Sequence, residues 1–168
     1  MEASRRAGRF KSTGVGRLQR TGINEYSAIG AEVILRQSQP RIEVIVGKKL
    51  MPAYALWRIY KTGDSLRRHV DRDACEVSVS LPILAIPVDV PWPIHVCDFN
   101  NEECAVALLP GAGIVYQGCR VPHWREPFAG EHQYQLFLHY VIKDGERSNF
   151  AFDGRGGLGL QISNDVAD

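Results

Sequence analysis

QYQLFLHYVI, residues 133–142, is the stretch from which the fold is read. Successive side chains on a strand point to opposite faces. Tyr134, Leu136, Leu138, Tyr140 and Ile142 therefore make one apolar face, and Gln133, Gln135, Phe137 and His139 make a mixed polar and aromatic one. Amides and imidazoles are costly to bury unless they are hydrogen-bonded. A strand that carries them opposite a fully apolar face belongs between a hydrophobic core and a polar ligand pocket, inside a sandwich of antiparallel strands.

The same texture extends upstream as far as Pro52. YALWRIY (54–60), CEVSVSLPI (75–83), WPIHV (92–96), AVALLP (105–110) and GIVYQG (113–118) are rich in aromatic and β-branched residues and are separated by Gly, Pro, Asp and Asn turns. Gly111 and Gly113 suggest a tight turn delivering a strand toward Tyr116. Before Pro52 the pattern is helical. Ile29, Ala31, Val33, Ile34 and Leu35 give one face over 25–37, and QPRIEVIVGKK (39–49) offers Pro40 for a first turn and Gly47 for an end. Two short helices leading an antiparallel β domain are expected.

Length and composition narrow the class. The 168 residues, 45% hydrophobic and 23% charged, suit one domain with one core, and no apolar run is long enough to span a bilayer. A formal net charge of +1 gives no general attraction to nucleic acid or acidic lipid. A soluble, cytoplasmic protein with neither nucleic-acid nor membrane partners is the expectation. Residues 1–22 are basic, with Arg5, Arg6, Arg9, Lys11, Arg17 and Arg20 opposed only by Glu2 through residue 20. They read as a solvated tail, with a targeting peptide or an arm for an anionic partner as alternatives. Residues 23–152 form the single domain, and 153–168, glycine-rich at their start, read as a loop and loose C-terminus. Cys75, Cys97, Cys104 and Cys119 form no Cys-x-x-Cys pair, so free thiols are expected.

The chemistry-bearing residues are His69 and Asp71 in RRHVDRDACEVSVSLPI (67–83) and His123 in GCRVPHWREP (118–127). On an extended segment His69 and Asp71 project the same way. Two imidazoles and a carboxylate on one side of a metal leave the other side open, the arrangement of non-haem Fe(II) oxygen chemistry. The same set also suits catalytic zinc in a hydrolase.

YKTGDSLRRHVDRDACEVSVSLPI (60–83), with LLPGAGIVYQGCRVPHWREPFAGEHQYQLFLHYV (108–141), resembles the 2-oxoglutarate- and Fe(II)-dependent oxygenases, specifically a bacterial and phage group similar to prolyl 4-hydroxylases. The resemblance runs from about residue 54 to 141. It implies a double-stranded β-helix, or jelly roll, mainly β within an α+β chain, with the N-terminal helices packed on one sheet. His69, Asp71 and His123 would be the catalytic Fe(II) ligands, and Tyr60, nine positions before His69, would contact the cosubstrate. The implied reaction consumes 2-oxoglutarate and O2, with ascorbate as a supporting reductant. It releases succinate and carbon dioxide while hydroxylating a C–H bond of a small-molecule, amino-acid or peptide substrate, with a prolyl group the first guess. A cupin-like metal-binding module without 2-oxoglutarate is the non-catalytic alternative.

One departure from the family matters. The cation usually found about ten residues beyond the second His is missing, since His132, Gln133 and Tyr134 occupy that neighbourhood. Arg125, sharing a strand face with His123, is the expected substitute for binding the distal carboxylate, with Gln135 as a further donor. Pairing of Arg125 with Glu126 or Glu131 at the surface is the competing reading. His95 reads as structural. Trp92 and Trp124 read as packing residues or as lining of a substrate mouth, and His139 as a pocket-lining group. Substrate selection falls to the loops at 83–92 and 100–103.

Overall fold

In a computed structural model that describes residues 23–160, the expected last strand stands at the centre of a five-stranded sheet. The strands, in chain order, are β1 (Ile23–Tyr26), β2 (Leu50–Lys61), β3 (Leu66–His69), β4 (Val77–Ile86), β5 (Ile94–Cys97), β6 (Glu103–Val106), β7 (Ile114–Tyr116), β8 (His123–Arg125) and β9 (His132–Ile142). One sheet has the order β1-β2-β9-β4-β7, the other β3-β8-β5-β6, and every pairing is antiparallel. Two sheets facing each other in this order make the double-stranded β-helix.

The two faces of β9 part as its parity requires. Leu136, Leu138 and Tyr140 join Val77 and Val79 of β4, Leu50 and Ala55 of β2, and Ala31, Leu35 and Ile42 of the helix α1 (Ile29–Val46) in one core. Burying each such large side chain stabilises by roughly 1.5–3 kcal/mol. The Tyr140 hydroxyl, buried in this layer, donates to the Leu35 carbonyl at 2.7 Å. Gln133, Gln135, Phe137 and His139 face the other way, into the lumen between the sheets, opposite Tyr60, Arg58, Leu56 and Tyr54 of β2. α1 thus closes the outer side of the sheet and leaves the inner side to chemistry.

Two expectations about the helical region are corrected. The two short helices are one 18-residue helix with Pro40 inside it. Proline there removes one hydrogen bond, the one that would run to the Arg36 carbonyl. Arg36 and Pro40 both lie on the exposed side, where a carbonyl can be left to solvent, while Leu35 and Ile42 on either side of the break are held in the core against the sheet. Gly47 ends the helix as expected, in the left-handed region at φ 68°, its N–H donating to Glu43 O at 2.8 Å. At the other end, residues 23–26 are not helical but form β1, an edge strand paired with β2.

The basic tail, 1–22, and residues 161–168 lie outside the described residues. After β9 the chain makes a 3-10 segment, Ser148–Gly154, in which Phe152 and Asp153 take positive φ of 55° and 56°. The glycine-rich stretch that follows is irregular but anchored as far as it is described. Arg155 is buried and ion-paired with Glu32 of α1, and Gly159 N–H bonds the other Glu32 oxygen.

Candidate active site

His69 ends β3 and His123 opens β8, and the two stand directly opposite each other in the register. Asp71 follows two residues after His69 on extended chain, its N–H held by Gly118 O at 2.8 Å. The three ligand atoms converge. Asp71 Oδ1 lies 3.4 Å from His69 Nε2 and 3.6 Å from His123 Nε2, and all three fall within 4.8 Å of one another. Each imidazole is turned by its other nitrogen: His69 Nδ1 donates to Arg67 O at 2.7 Å and His123 Nδ1 to Val121 O at 2.9 Å. That tautomer leaves both Nε2 lone pairs pointing at the shared centre, as a metal ligand requires.

Electrostatics agree with the geometry. Burial alone would raise the Asp71 carboxyl, but the two imidazoles beside it, His123 and His69, outweigh burial and hold the group far below the usual carboxylate range. Burial opposes protonation of His69, yet its bond to Asp71 raises its pKa overall. A carboxylate kept ionised between two imidazoles is a donor set that could hold a divalent cation. Asp71 Oδ2 accepts from Ser78 Oγ at 3.2 Å, and Ser78 also meets His139 Nδ1 at 3.0 Å. Behind the carboxylate the wall is main chain. A Cβ on Gly118 would fall 2.4 Å from Ser78 Oγ and 2.6 Å from Asp71 Oδ2, so only glycine fits.

A second group, Asp71, Cys75 and His139, also brings three ligand atoms together. It is the weaker candidate. Burial pushes the Cys75 thiol far above its usual range, and its Sγ lies 3.1 Å from the Tyr54 hydroxyl, while His139 Nδ1 is already engaged by Ser78. A thiolate is what a metal would need there.

Deeper in the lumen stands a separate polar cluster. Arg125, two residues past His123 and so about 7 Å further along β8, is 3% exposed. Its guanidinium donates to Trp92 O and, at 3.3 Å, to Ser80 Oγ, which also receives Gln135 Nε2 at 2.9 Å. Arg125 meets neither Glu126 nor Glu131: Glu126 Oε1 takes the Trp124 indole N–H instead. Burial lowers the Arg125 pKa to about 10, with Tyr60 and Tyr116 only partly offsetting this. Arg125 Nε and the fully buried Tyr60 hydroxyl both lack a partner. An unpaired buried cation beside an unused hydroxyl fits a carboxylate ligand such as the far end of 2-oxoglutarate.

Of the remaining residues, Trp92 is buried, its indole N–H on Glu126 O at 2.7 Å and its ring edge-on to Tyr60. Trp124 is outside the lumen, stacked on His95 with Arg68 over its ring. Sequence reasoning missed Arg58, which faces the lumen beside Gln135. Alternation along YALWRIY already placed it on the face of Tyr60.

No family model and no curated protein matches the chain. Solved structures do. A prolyl-4-hydroxylase from Pseudomonas putida superposes with a TM-score of 0.52 at 20% identity, covering 73% of this chain and 72% of that one. An oxidoreductase of the 2OG-Fe(II) oxygenase family from Burkholderia pseudomallei gives 0.58 at 16%, over 70% of this chain and 58% of its own. A prolyl hydroxylase from Trichoplax adhaerens, in complex with a hypoxia inducible factor oxygen degradation domain peptide fragment, gives 0.57 at 16%, over 76% and 66%. The chain therefore has the double-stranded β-helix fold of the prolyl hydroxylases and 2OG-Fe(II) oxygenases.

Proposed function

We propose that the chain is a Fe(II)- and 2-oxoglutarate-dependent dioxygenase that hydroxylates a C–H bond of an aminoacyl or peptide substrate, prolyl-like, with release of succinate and carbon dioxide. The observation that carries this reading is Arg125, a buried cation without an acid, in the same lumen as the His69, Asp71 and His123 triad. A bare metal-binding module gives that arginine nothing to do. The shared fold, including that of a prolyl hydroxylase with a peptide bound, supports the same class.

When bound, ferrous iron with 2-oxoglutarate and O2 supplies the oxidising power, and the chain supplies position. His69, Asp71 and His123 would hold the metal from one side, with orientation fixed by the Arg67 and Val121 carbonyls and by Ser78. Arg125, Tyr60 and Gln135 would receive the distal carboxylate. Tyr116, Phe137, Trp92 and Phe128, all buried, keep water from this lumen, which strengthens each charge interaction inside it.

Purified protein given Fe(II), ascorbate and 2-oxoglutarate is expected to release succinate slowly even without its substrate, and His69→Ala is expected to abolish this. Metal binding with no succinate would favour the cupin-like reading, and zinc-supported hydrolysis without oxygen the hydrolase. Either result would overturn the proposal.

A further inference from the structure

The lumen holds a second arginine that cosubstrate binding leaves unused. Arg58 alternates with Leu56 and Tyr60 along β2 and stands opposite Gln135 of β9. It is 8% exposed, its Nε has no acceptor, and it makes no ion pair among the described residues. Its guanidinium lies over the Tyr60 ring, 4.7 Å from the centroid. Asn24, its register partner on β1, has a buried Oδ1 that also lacks a partner, and a neutral amide does not compensate a charge.

Charge balance separates Arg58 from Arg125. A ferrous ion, Asp71, a 2-oxoglutarate dianion and one arginine together are neutral. The other arginine is then one positive charge in excess in a largely buried place, where an anion would be drawn to meet it. The two guanidiniums are also held apart. Arg125 springs from β8 and is anchored on Ser80 of β4, whereas Arg58 springs from β2, so the two enter the lumen from different sheets. Each lies over a different ring of the edge-to-face Tyr60–Trp92 pair, Arg58 over Tyr60 and Arg125 over Trp92 at 4.6 Å.

We propose that Arg58 is a second anion-binding residue of the lumen and takes a carboxylate of the prime substrate. The substrate is then an acid, such as a free amino acid or a peptide presenting its own C-terminus, rather than an internal residue of a long chain. The identity of the ligand as a substrate rests on the oxygenase reading above; the anion site itself does not.

The test compares wild type, Arg58→Met and Arg58→Lys, each loaded with Mn(II) and saturated with 2-oxoglutarate, with acetate as probe against chloride at matched ionic strength. Acetate is expected to raise the wild-type Tm by about 2 °C or more beyond chloride, to do so less in Arg58→Lys and not at all in Arg58→Met. Affinity for 2-oxoglutarate, by calorimetry, is expected to stay within about threefold in both variants, and ligand-free Arg58→Met is expected to melt no lower than wild type. Equal stabilisation of all three proteins by acetate would overturn the proposal. So would a tenfold loss of 2-oxoglutarate affinity in Arg58→Met, which would assign Arg58 to the cosubstrate, or a fall in Tm of both ligand-free variants, which would make its role structural. If wild type binds no 2-oxoglutarate, the oxygenase reading fails, and the acetate comparison is then scored on the Mn(II)-loaded protein alone.

Discussion

Arg155 and Arg125 are almost equally buried, at 6% and 3% exposure, yet the fold treats them differently. Arg155 is fully engaged: its guanidinium pairs with Glu32, and it donates to Ala53 O at 3.0 Å and Phe152 O at 2.9 Å. Arg125 has two neutral acceptors, no acid and an unused Nε. The first is a cation the chain satisfies by itself, clamping the C-terminal segment to α1. The second is completed only by something from outside. Burial alone does not mark a functional charge; burial without a counter-charge does.

Breaking the satisfied pair should have the largest effect. Glu32→Ala leaves Arg155 buried and uncompensated, and a loss of about 3–5 kcal/mol is expected in urea unfolding. Arg125→Met sharpens the contrast from the other side. Without ligand the variant should unfold at the same urea concentration as wild type or slightly higher, while 2-oxoglutarate affinity of the Mn(II)-loaded protein falls about 100-fold. A substantial loss of ligand-free stability would place Arg125 with Arg155 as a structural cation.

A pH series extends the comparison to a buried group that is kept neutral. Burial, which Asp71 only partly opposes, lowers the His139 imidazole to about 4, against ~6.5 in the unfolded chain. As pH falls below ~6.5 the unfolded chain takes up this proton first, so stability is complete above that pH and is lost toward 4. From pH 7 to pH 5 the metal-free protein should lose about 2 kcal/mol through this group, and His139→Gln should flatten that part of the profile. Smallest is Tyr60→Phe. Removing a buried hydroxyl that has no partner should leave ligand-free stability unchanged or about 1 kcal/mol higher, and weaken 2-oxoglutarate about tenfold.

Much of this was legible in the residues. The parity of β9 separated core from lumen because both faces are buried and only one is polar. The His69 and Asp71 spacing worked because extended chain repeats every two residues. Pro40 misled, because sequence does not say which side of a helix faces water, and there the missing hydrogen bond costs little. The Glu32–Arg155 pair, 123 residues apart, carries no local signal, and its arginine sits among glycines that read as a loop. Arg58 passed as an ordinary strand residue until the register set it opposite Gln135 with no acid beside it.

Gly118 sets a limit on how this centre can vary. Its carbonyl tethers the Asp71 amide, and the space at its α-carbon admits hydrogen alone. Side chains elsewhere around the lumen can be exchanged to suit a different guest, but this partition is built of backbone and has no side chain to exchange. Diversification of such a scaffold is therefore steered toward the surfaces that greet the incoming molecule, while the seat of the aspartate stays as it is.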